Sequence, residues 1–250
     1  MDNREFLQTI TESFRKFLGT GSRSNEKLKI LHGAIAKDID FKLQQFSGIS
    51  RFSNRYEVKS LGFKEGKESE IVGRYIDKKV DITIIDKANR KSVAGIAVKF
   101  VMQNYSQNSN NYFENMLGET ANIRCNGIPY FQIFIIPDKI PYYDKNGQLM
   151  KWESFTDSNS HKYEILAKDN PESYFHTPNK TLLYVIHLPD TGRKMNSRND
   201  YIQSYSTFSA LRVQETRTPY RALRQSRESS VIFNDYEKFV EKVCHAILSI

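Results

Sequence analysis

The stretch that decides the fold reads RYIDKKVDITIIDKANRKSVAGIAVKF and spans residues 74–100. It holds two apolar runs of alternating side chains, which predict two β-strands, joined by the polar turn DKANRK at 86–91. Because strand side chains alternate with a period of two, Ala97 and Lys99 project to the same face of the second strand. Asp81 stands in the first run. The hairpin is therefore predicted to place a carboxylate beside a strand that presents a lysine.

The strand VDITI at 80–84, the turn and the strand GIAVKF at 95–100 resemble the core of the PD-(D/E)xK nucleases, which include most type II restriction endonucleases. The resemblance covers about a tenth of the chain. It implies a restriction-endonuclease-like α/β fold, with a mixed sheet of about five strands flanked by helices. It also implies that Asp81 binds the metal, that Lys99 is the catalytic lysine and that the carbonyl of Val98 is a further metal ligand.

One position departs from the family pattern. Two residues before the lysine the family has Glu or Asp, and this chain has Ala97. Mg²⁺ prefers oxygen ligands, so a site without this acid lacks a catalytic metal ligand at position 97. Either 93–100 is an ordinary buried strand with a lysine near its end, or Ala97 replaces an acid through engineering or natural decay. We favour engineering, because the surroundings of the site look maintained, and expect catalysis by this chain to be impaired.

Two other acids are candidates for a third acidic ligand. Apolar spacing predicts a helix from about residue 25 to 46, which carries Asp38. In the family such a helix sometimes contributes an acid, and the alternative is a solvated helical aspartate. Glu70 begins a predicted strand at 70–75, where an exposed glutamate is the alternative. His32 on the same helix as Asp38 is interpreted as a packed histidine rather than a ligand.

Downstream of Lys99 the sequence predicts a helix from about residue 110 and a buried strand at 130–136. One face of this helix is polar, and it is either a solvated surface or a border of the site. Its members are Tyr112, Asn115, Glu119 and Asn122. Gln103 and Asn104 are candidates for contact with the DNA near the scissile phosphate. The order of strand, hairpin, helix and strand is the one that the resemblance implies.

The charge distribution favours a polyanionic partner. The formal net charge is +8, and residues 193–227 form a basic tract interleaved with Asn, Gln and Tyr. Such side chains contact phosphates and base edges, so we favour double-stranded DNA over a merely solvated basic surface. The predicted DNA contacts in this tract are Arg193, Lys194, Arg198, Tyr205, Arg212, Arg217, Arg221 and Arg224.

Other sequence features exclude several classes of protein. The chain shows no long apolar run and no apolar signal core, and its two cysteines are too few for a disulfide framework or a thiolate zinc site. These features indicate a cytoplasmic protein without a membrane partner. No glycine-rich nucleotide-binding motif is present, so no nucleotide cofactor is expected.

Length and pattern predict one nuclease domain over residues 1–250, with its core at about 25–190. DNA-recognition elements are expected at about 138–230 and a C-terminal helix at 235–250. The expected function is that of a Mg²⁺-dependent type II restriction endonuclease, acting as a homodimer on a specific DNA sequence. The alternatives are a sequence-nonspecific defence or repair nuclease of the same superfamily, a naturally inactive DNA-binding pseudonuclease, and a non-nuclease α/β protein that shares the motif by chance.

Overall fold

The computed structural model describes residues 1–21, 24–47, 55–64, 66–218, 220 and 229–250. The helices in these ranges are α1 (Asn3–Thr20), α2 (Glu26–Ser47), α3 (Tyr105–Arg124), α4 (Asp157–Lys168), α5 (Arg198–Ser206) and α6 (Tyr236–Leu248). The strands are β1 (Tyr56–Ser60), β2 (Ser69–Ile71), β3 (Lys78–Val80), β4 (Ile82–Asp86), β5 (Lys91–Phe100), β6 (Tyr130–Pro137), β7 (Lys139–Tyr143), β8 (Leu149–Ser154), β9 (Lys180–His187), β10 (Gln214–Glu215) and β11 (Val231–Phe233). Within these ranges, no helix is long and apolar enough to cross a membrane.

The central sheet runs in the order β1, β4, β5, β6, β9, and β10 and β11 both pair with the remaining edge of β9. The pairs from β1 to β5 are antiparallel, and the pairs from β5 to β9 are parallel. The α/β class and the mixed sheet are therefore confirmed, but among the described residues the sheet has seven strands instead of about five. The sequence does not signal β10 and β11 because they are too short to show alternation.

The sheet lies between two helical layers. Ile133 and Ile135 of β6 belong to the larger apolar core, which includes side chains of α1, α2 and α6. Phe134 and Ile136, the alternate residues of the same strand, belong to a second core with side chains of α3 and α4. Burial of an apolar side chain of this size contributes about 1.5–3 kcal/mol. The two cores therefore fix β5 and β6 as a rigid support for side chains at their ends.

The β2–β3 hairpin packs across the central sheet at β4 and β5. Ile71 and Tyr130 cover Gly95 so closely that a Cβ atom there would lie 2.6 Å from Cδ1 of Ile71. Ala97, on the same face of β5, packs against the small apolar cluster that includes Ile71, Val80 and Tyr130. Small side chains on this face therefore allow the hairpin to approach the sheet.

Two sequence expectations about the middle of the chain are wrong. α3 begins at Tyr105 instead of near residue 110. The buried ring of Tyr105 packs against Phe155, with ring centroids 5.6 Å apart, and this tertiary contact outweighs the weak helix propensity of the Asn- and Ser-rich segment. The region 138–180, for which no helix or strand is predicted above, contains the β7–β8 hairpin and α4.

Other boundaries are closer to expectation. The helix predicted at 25–46 and the strand predicted at 130–136 are confirmed as α2 and β6. The strand expected at 70–75 is shorter, because β2 ends at Ile71 and the chain turns towards β3. Asn234 has the spacing of a helix cap, but Asp235 caps α6 and the amide of Asn234 pairs with the backbone of Val185.

Candidate active site

A cavity of about 440 Å³ opens between α2, α3, β5 and β6. Four residues that the sequence singles out line its wall, namely Asp81, Ala97, Val98 and Lys99. The polar face of α3 contributes Tyr112, Asn115 and Glu119 to the opposite wall. The hairpin therefore brings the predicted carboxylate and the predicted lysine into one space, and three residues of the polar face border the same cavity.

Asp81 is the single residue between the end of β3 at Val80 and the start of β4 at Ile82. The antiparallel register pairs Ile82 with Ile96, so Asp81, one residue earlier, faces Ala97 across the ladder. The backbone N–H of Val98 donates a hydrogen bond of 2.7 Å to Oδ2 of Asp81. This bond fixes the carboxylate against β5, immediately before Lys99.

The electrostatic environment of Asp81 is costly for a negative charge. Burial raises the pKa of Asp81 from 3.8 to about 6, although 27% of its side-chain surface remains exposed. The hydrogen bond from Val98 lowers this pKa, Glu119 raises it, and Lys99 and Lys78 lower it by smaller amounts. Because the protein compensates the ionised carboxylate only in part, a cation bound beside Asp81 would be stabilised.

His32 of α2 and Glu68, from the segment before β2, complete a group around Asp81. One ligand atom from each of the three residues lies within 4.8 Å of the other two, which is close enough to hold a metal ion. Nδ1 of His32 is 3.7 Å from Oδ1 of Asp81. Burial lowers the pKa of His32 to about 4, and Glu68 opposes this effect. The imidazole is therefore neutral at pH 7 and has a free lone pair, as a metal ligand requires.

Lys99 and Glu119 place opposite charges on the cavity wall. Nζ of Lys99 lies 4.3 Å from the centre of the Tyr112 ring, a cation–π contact that holds the ammonium group against α3. Glu119 forms an ion pair with Lys78 of β3, with Nζ and Oε1 2.5 Å apart. Asn122, the fourth residue of the polar face, instead binds the backbone at residues 75–76. The cavity wall thus carries the carboxylates of Asp81 and Glu119, of which Glu119 is paired with Lys78, and the ammonium group of Lys99.

β6 adds a polar group that the sequence does not signal. Gln132 pairs with Ala97 in the parallel register, is 3% exposed and lines the cavity. Its Nε2 has no hydrogen-bond partner among the described residues. Because buried amide groups are normally hydrogen-bonded, this donor is available to an acceptor in the cavity, such as a phosphate oxygen.

Four residues predicted for the site lie elsewhere. Asp38 binds the N-terminal ammonium group at 2.5 Å and the hydroxyl of Tyr236 at 3.0 Å, away from the cavity wall. Glu70 is exposed on β2. Asn104 exchanges hydrogen bonds with the backbone of β7, and neither it nor Gln103 lines the cavity. None of these four residues lines the cavity that holds Asp81 and Lys99.

The predicted DNA contacts divide into exposed and packed residues. The exposed ones are Arg193, Lys194, Arg198, Arg212 and Arg217. Tyr205 is 5% exposed, packs in the larger core and donates its hydroxyl to the carbonyl of Pro189, so it is not available to DNA. Arg221 and Arg224 lie outside the described residues.

Sequence reasoning missed His32 and Glu68 as candidate ligands. His32 lies on the apolar side of an amphipathic helix, and Glu68 lies in a polar segment with several charged residues. Neither has ligand spacing relative to Asp81, because three separate segments carry the group. Comparison of the chain with protein-family models, curated proteins and solved structures gave no match.

Proposed function

We propose that this chain is a divalent-metal-dependent nuclease that cleaves double-stranded DNA in the manner of a type II restriction endonuclease. The observation that carries the proposal is the meeting of Asp81 and Lys99 in one cavity, with Asp81 held by the N–H of Val98. The resemblance to the PD-(D/E)xK core assigns metal binding to Asp81 and the role of catalytic lysine to Lys99. Mg²⁺ is the cation that the resemblance implies.

The reaction that fits the cavity is hydrolysis of a phosphodiester. The oxygen of a water molecule forms a bond to phosphorus, and the P–O bond to the leaving oxygen breaks. A proton from the water passes to the leaving oxygen. A divalent cation, when bound, supplies positive charge to the phosphate and lowers the pKa of water. Asp81, His32 and Glu68 would hold the cation together. The buried ring nitrogens of His32 and the nearby carboxylate of Glu68 are groups that fit a divalent cation.

Lys99 and Gln132 are placed to act on the phosphate. The ammonium group of Lys99, on an exposed side chain that lines the cavity, opposes the negative charge that develops on the phosphate oxygens. Nε2 of Gln132, which lines the same cavity, offers a neutral donor to another oxygen. Both groups sit on strands of the central sheet, so little reorganisation is needed when DNA binds.

The exposed basic residues of the 193–217 segment support a DNA substrate. Arginine pairs with phosphates and with the edge of guanine, so these residues would position the duplex. Cleavage of both strands at a symmetric sequence calls for two active sites, and we propose a homodimer for this reason. A single-stranded or nonspecific cut by a monomer is the outcome expected of a defence or repair nuclease instead.

A second candidate function is that of a DNA-binding protein that does not cleave. Ala97 favours it, because the family has an acid at that position. Fold-level likeness does not establish activity, so cleavage and binding have to be measured separately on the same protein.

The experiment measures cleavage of supercoiled plasmid with Mg²⁺, with Mn²⁺ and with chelator, alongside DNA binding by fluorescence anisotropy. Asp81→Asn and Lys99→Ala are expected to lose activity, the lysine variant by about 10²- to 10³-fold. The matched controls are Asp77→Asn, an exposed acid nearby, and Lys91→Ala, an exposed lysine of the same strand. Cleavage by Lys99→Ala at the rate of the unmodified chain contradicts the proposal. Binding without cleavage under every condition supports the second candidate.

A further inference from the structure

The group of possible metal ligands around Asp81 does not include a residue at position 97. We infer that His32, Glu68 and Asp81 form a nitrogen-containing metal centre that takes a first-row transition ion such as Mn²⁺ in preference to Mg²⁺. The inference deepens the proposed function and rests on it for the use of the metal. The metal centre itself is tested without DNA.

The first observation in favour of the metal centre is the burial of His32. The side chain is 1% exposed, yet neither ring nitrogen has a hydrogen-bond partner among the described residues. A buried polar group without a partner destabilises the fold, so a histidine at this position calls for a ligand. The ring lines the cavity beside Asp81, and a cation there would accept its lone pair.

The second observation is the spacing of the ligand atoms of His32, Glu68 and Asp81. Metal–ligand bonds of about 2.1 Å at right angles separate neighbouring ligand atoms by about 3 Å. Nδ1 of His32 and Oδ1 of Asp81 are 3.7 Å apart, and the ligand atoms of all three residues fall within 4.8 Å of one another. Binding of an ion would draw these side chains closer together. Asp81 is already oriented by the N–H of Val98.

The chemistry of the three ligands selects the metal. Mg²⁺ demands oxygen ligands and gives up its water reluctantly, whereas imidazole nitrogen suits first-row transition ions. Two carboxylates and one imidazole therefore favour a first-row transition ion over Mg²⁺, and Mn²⁺ is the ion of that row whose preference for oxygen ligands lies nearest that of Mg²⁺. Carboxylates alone would not discriminate in this way.

The surroundings of Ala97 agree with this ligand set. Ala97 packs against the apolar cluster beneath the β2–β3 hairpin, next to the closely covered Gly95. A small apolar residue suits this position, and the additional metal ligands come from α2 and the segment before β2.

The test is calorimetric titration of the full, metal-free chain with MnCl₂ and with MgCl₂ in the absence of DNA. We expect one Mn²⁺ site per chain, with Mg²⁺ binding at least about tenfold more weakly. His32→Ala and Glu68→Gln are each expected to lower the Mn²⁺ affinity at least about tenfold, because loss even of a group that only supports a ligand costs that much. Glu70→Gln, an exposed acid two positions from Glu68, is the matched control and should bind as the unmodified chain does.

Pulsed electron paramagnetic resonance of bound Mn²⁺ gives a readout that needs no variant, which matters if the buried His32→Ala variant does not fold. We expect nitrogen modulation from a directly bound imidazole, and its loss in any folded His32 variant. Equal affinity for the two metals, unchanged affinity in Glu68→Gln, or bound Mn²⁺ without nitrogen coupling would each overturn the inference. Failure of DNA cleavage with this metal site intact would count against the proposed function only.

Discussion

Replacement of Asp81 by Asn is expected to stabilise the metal-free protein while it abolishes metal binding. Burial raises the pKa of Asp81 from 3.8 to about 6, so the folded protein holds the proton more tightly than the unfolded chain does. The favourable contribution of the protonated group is complete below the unfolded pKa and is lost as the pH rises through about 6. At neutral pH the ionised carboxylate therefore costs stability, and a neutral amide does not.

The magnitude follows from the two pKa values. A pKa that differs by one between the folded and unfolded states changes the free energy of unfolding by about 1.4 kcal/mol. The rise in the pKa of Asp81 therefore lowers the free energy of unfolding by about 3 kcal/mol near pH 8. Asn keeps a side-chain carbonyl that accepts the hydrogen bond from Val98, so the substitution leaves that N–H satisfied. Asp81→Asn is therefore expected to be more stable by up to about 3 kcal/mol near pH 8 and of similar stability near pH 4.

The assay is urea unfolding in chelator, near pH 4 and near pH 8, followed by the fluorescence of Trp152, the single tryptophan. Asp77→Asn, at an exposed position, is the control and should match the unmodified chain. A hundredfold excess of Mn²⁺ over its dissociation constant should stabilise the unmodified chain by about 2.7 kcal/mol and leave Asp81→Asn unchanged. A variant that is less stable than the unmodified chain near pH 8, or a difference that does not depend on pH, would refute the reasoning.

Three further predictions test the fold and the DNA surface. DNA affinity measured by anisotropy should fall with salt with a log–log slope of about −0.9 per neutralised phosphate, and a flat response would contradict the role of the exposed basic residues. Gly95→Val should cost about 1–3 kcal/mol in thermal unfolding because a Cβ there meets Ile71 at 2.6 Å, whereas Gly118→Ala, with open space around it, should cost nothing. Tyr205→Ala should lower stability by about 3–5 kcal/mol, whereas Arg212→Ala, at an exposed position, should weaken DNA binding and leave the unfolding temperature unchanged.

The sequence predicts the centre of the molecule because its signals there are local. The period of two in 74–100 identifies the hairpin, and the same period places Ala97 and Lys99 on one face. Asp81 meets Lys99 because an antiparallel hairpin with a short turn brings the start of one strand beside the end of the other. The polar face of α3 follows from helical spacing even though the predicted start of the helix is wrong.

The remainder of the candidate site depends on tertiary contacts that no local pattern encodes. His32 reaches Asp81 only because α2 packs against the sheet, and Glu68 reaches it because the β2–β3 hairpin lies across β5. Asp38 illustrates the reverse error, since it lies on the same helix as His32 but faces the chain terminus and Tyr236. The basic tract around Tyr205 predicts a DNA contact for this residue, and its burial removes it from that role.

The most direct test of metal-dependent DNA cleavage at this site compares the unmodified chain with Ala97→Glu on plasmid DNA, with Mn²⁺ and with Mg²⁺. The unmodified chain should produce discrete fragments with Mn²⁺, and cleavage should stop in chelator. Cleavage that requires Ala97→Glu would contradict a complete metal site in the present chain, since position 97 would then be a vacated ligand. No cleavage by either chain with either metal would contradict the nuclease function itself.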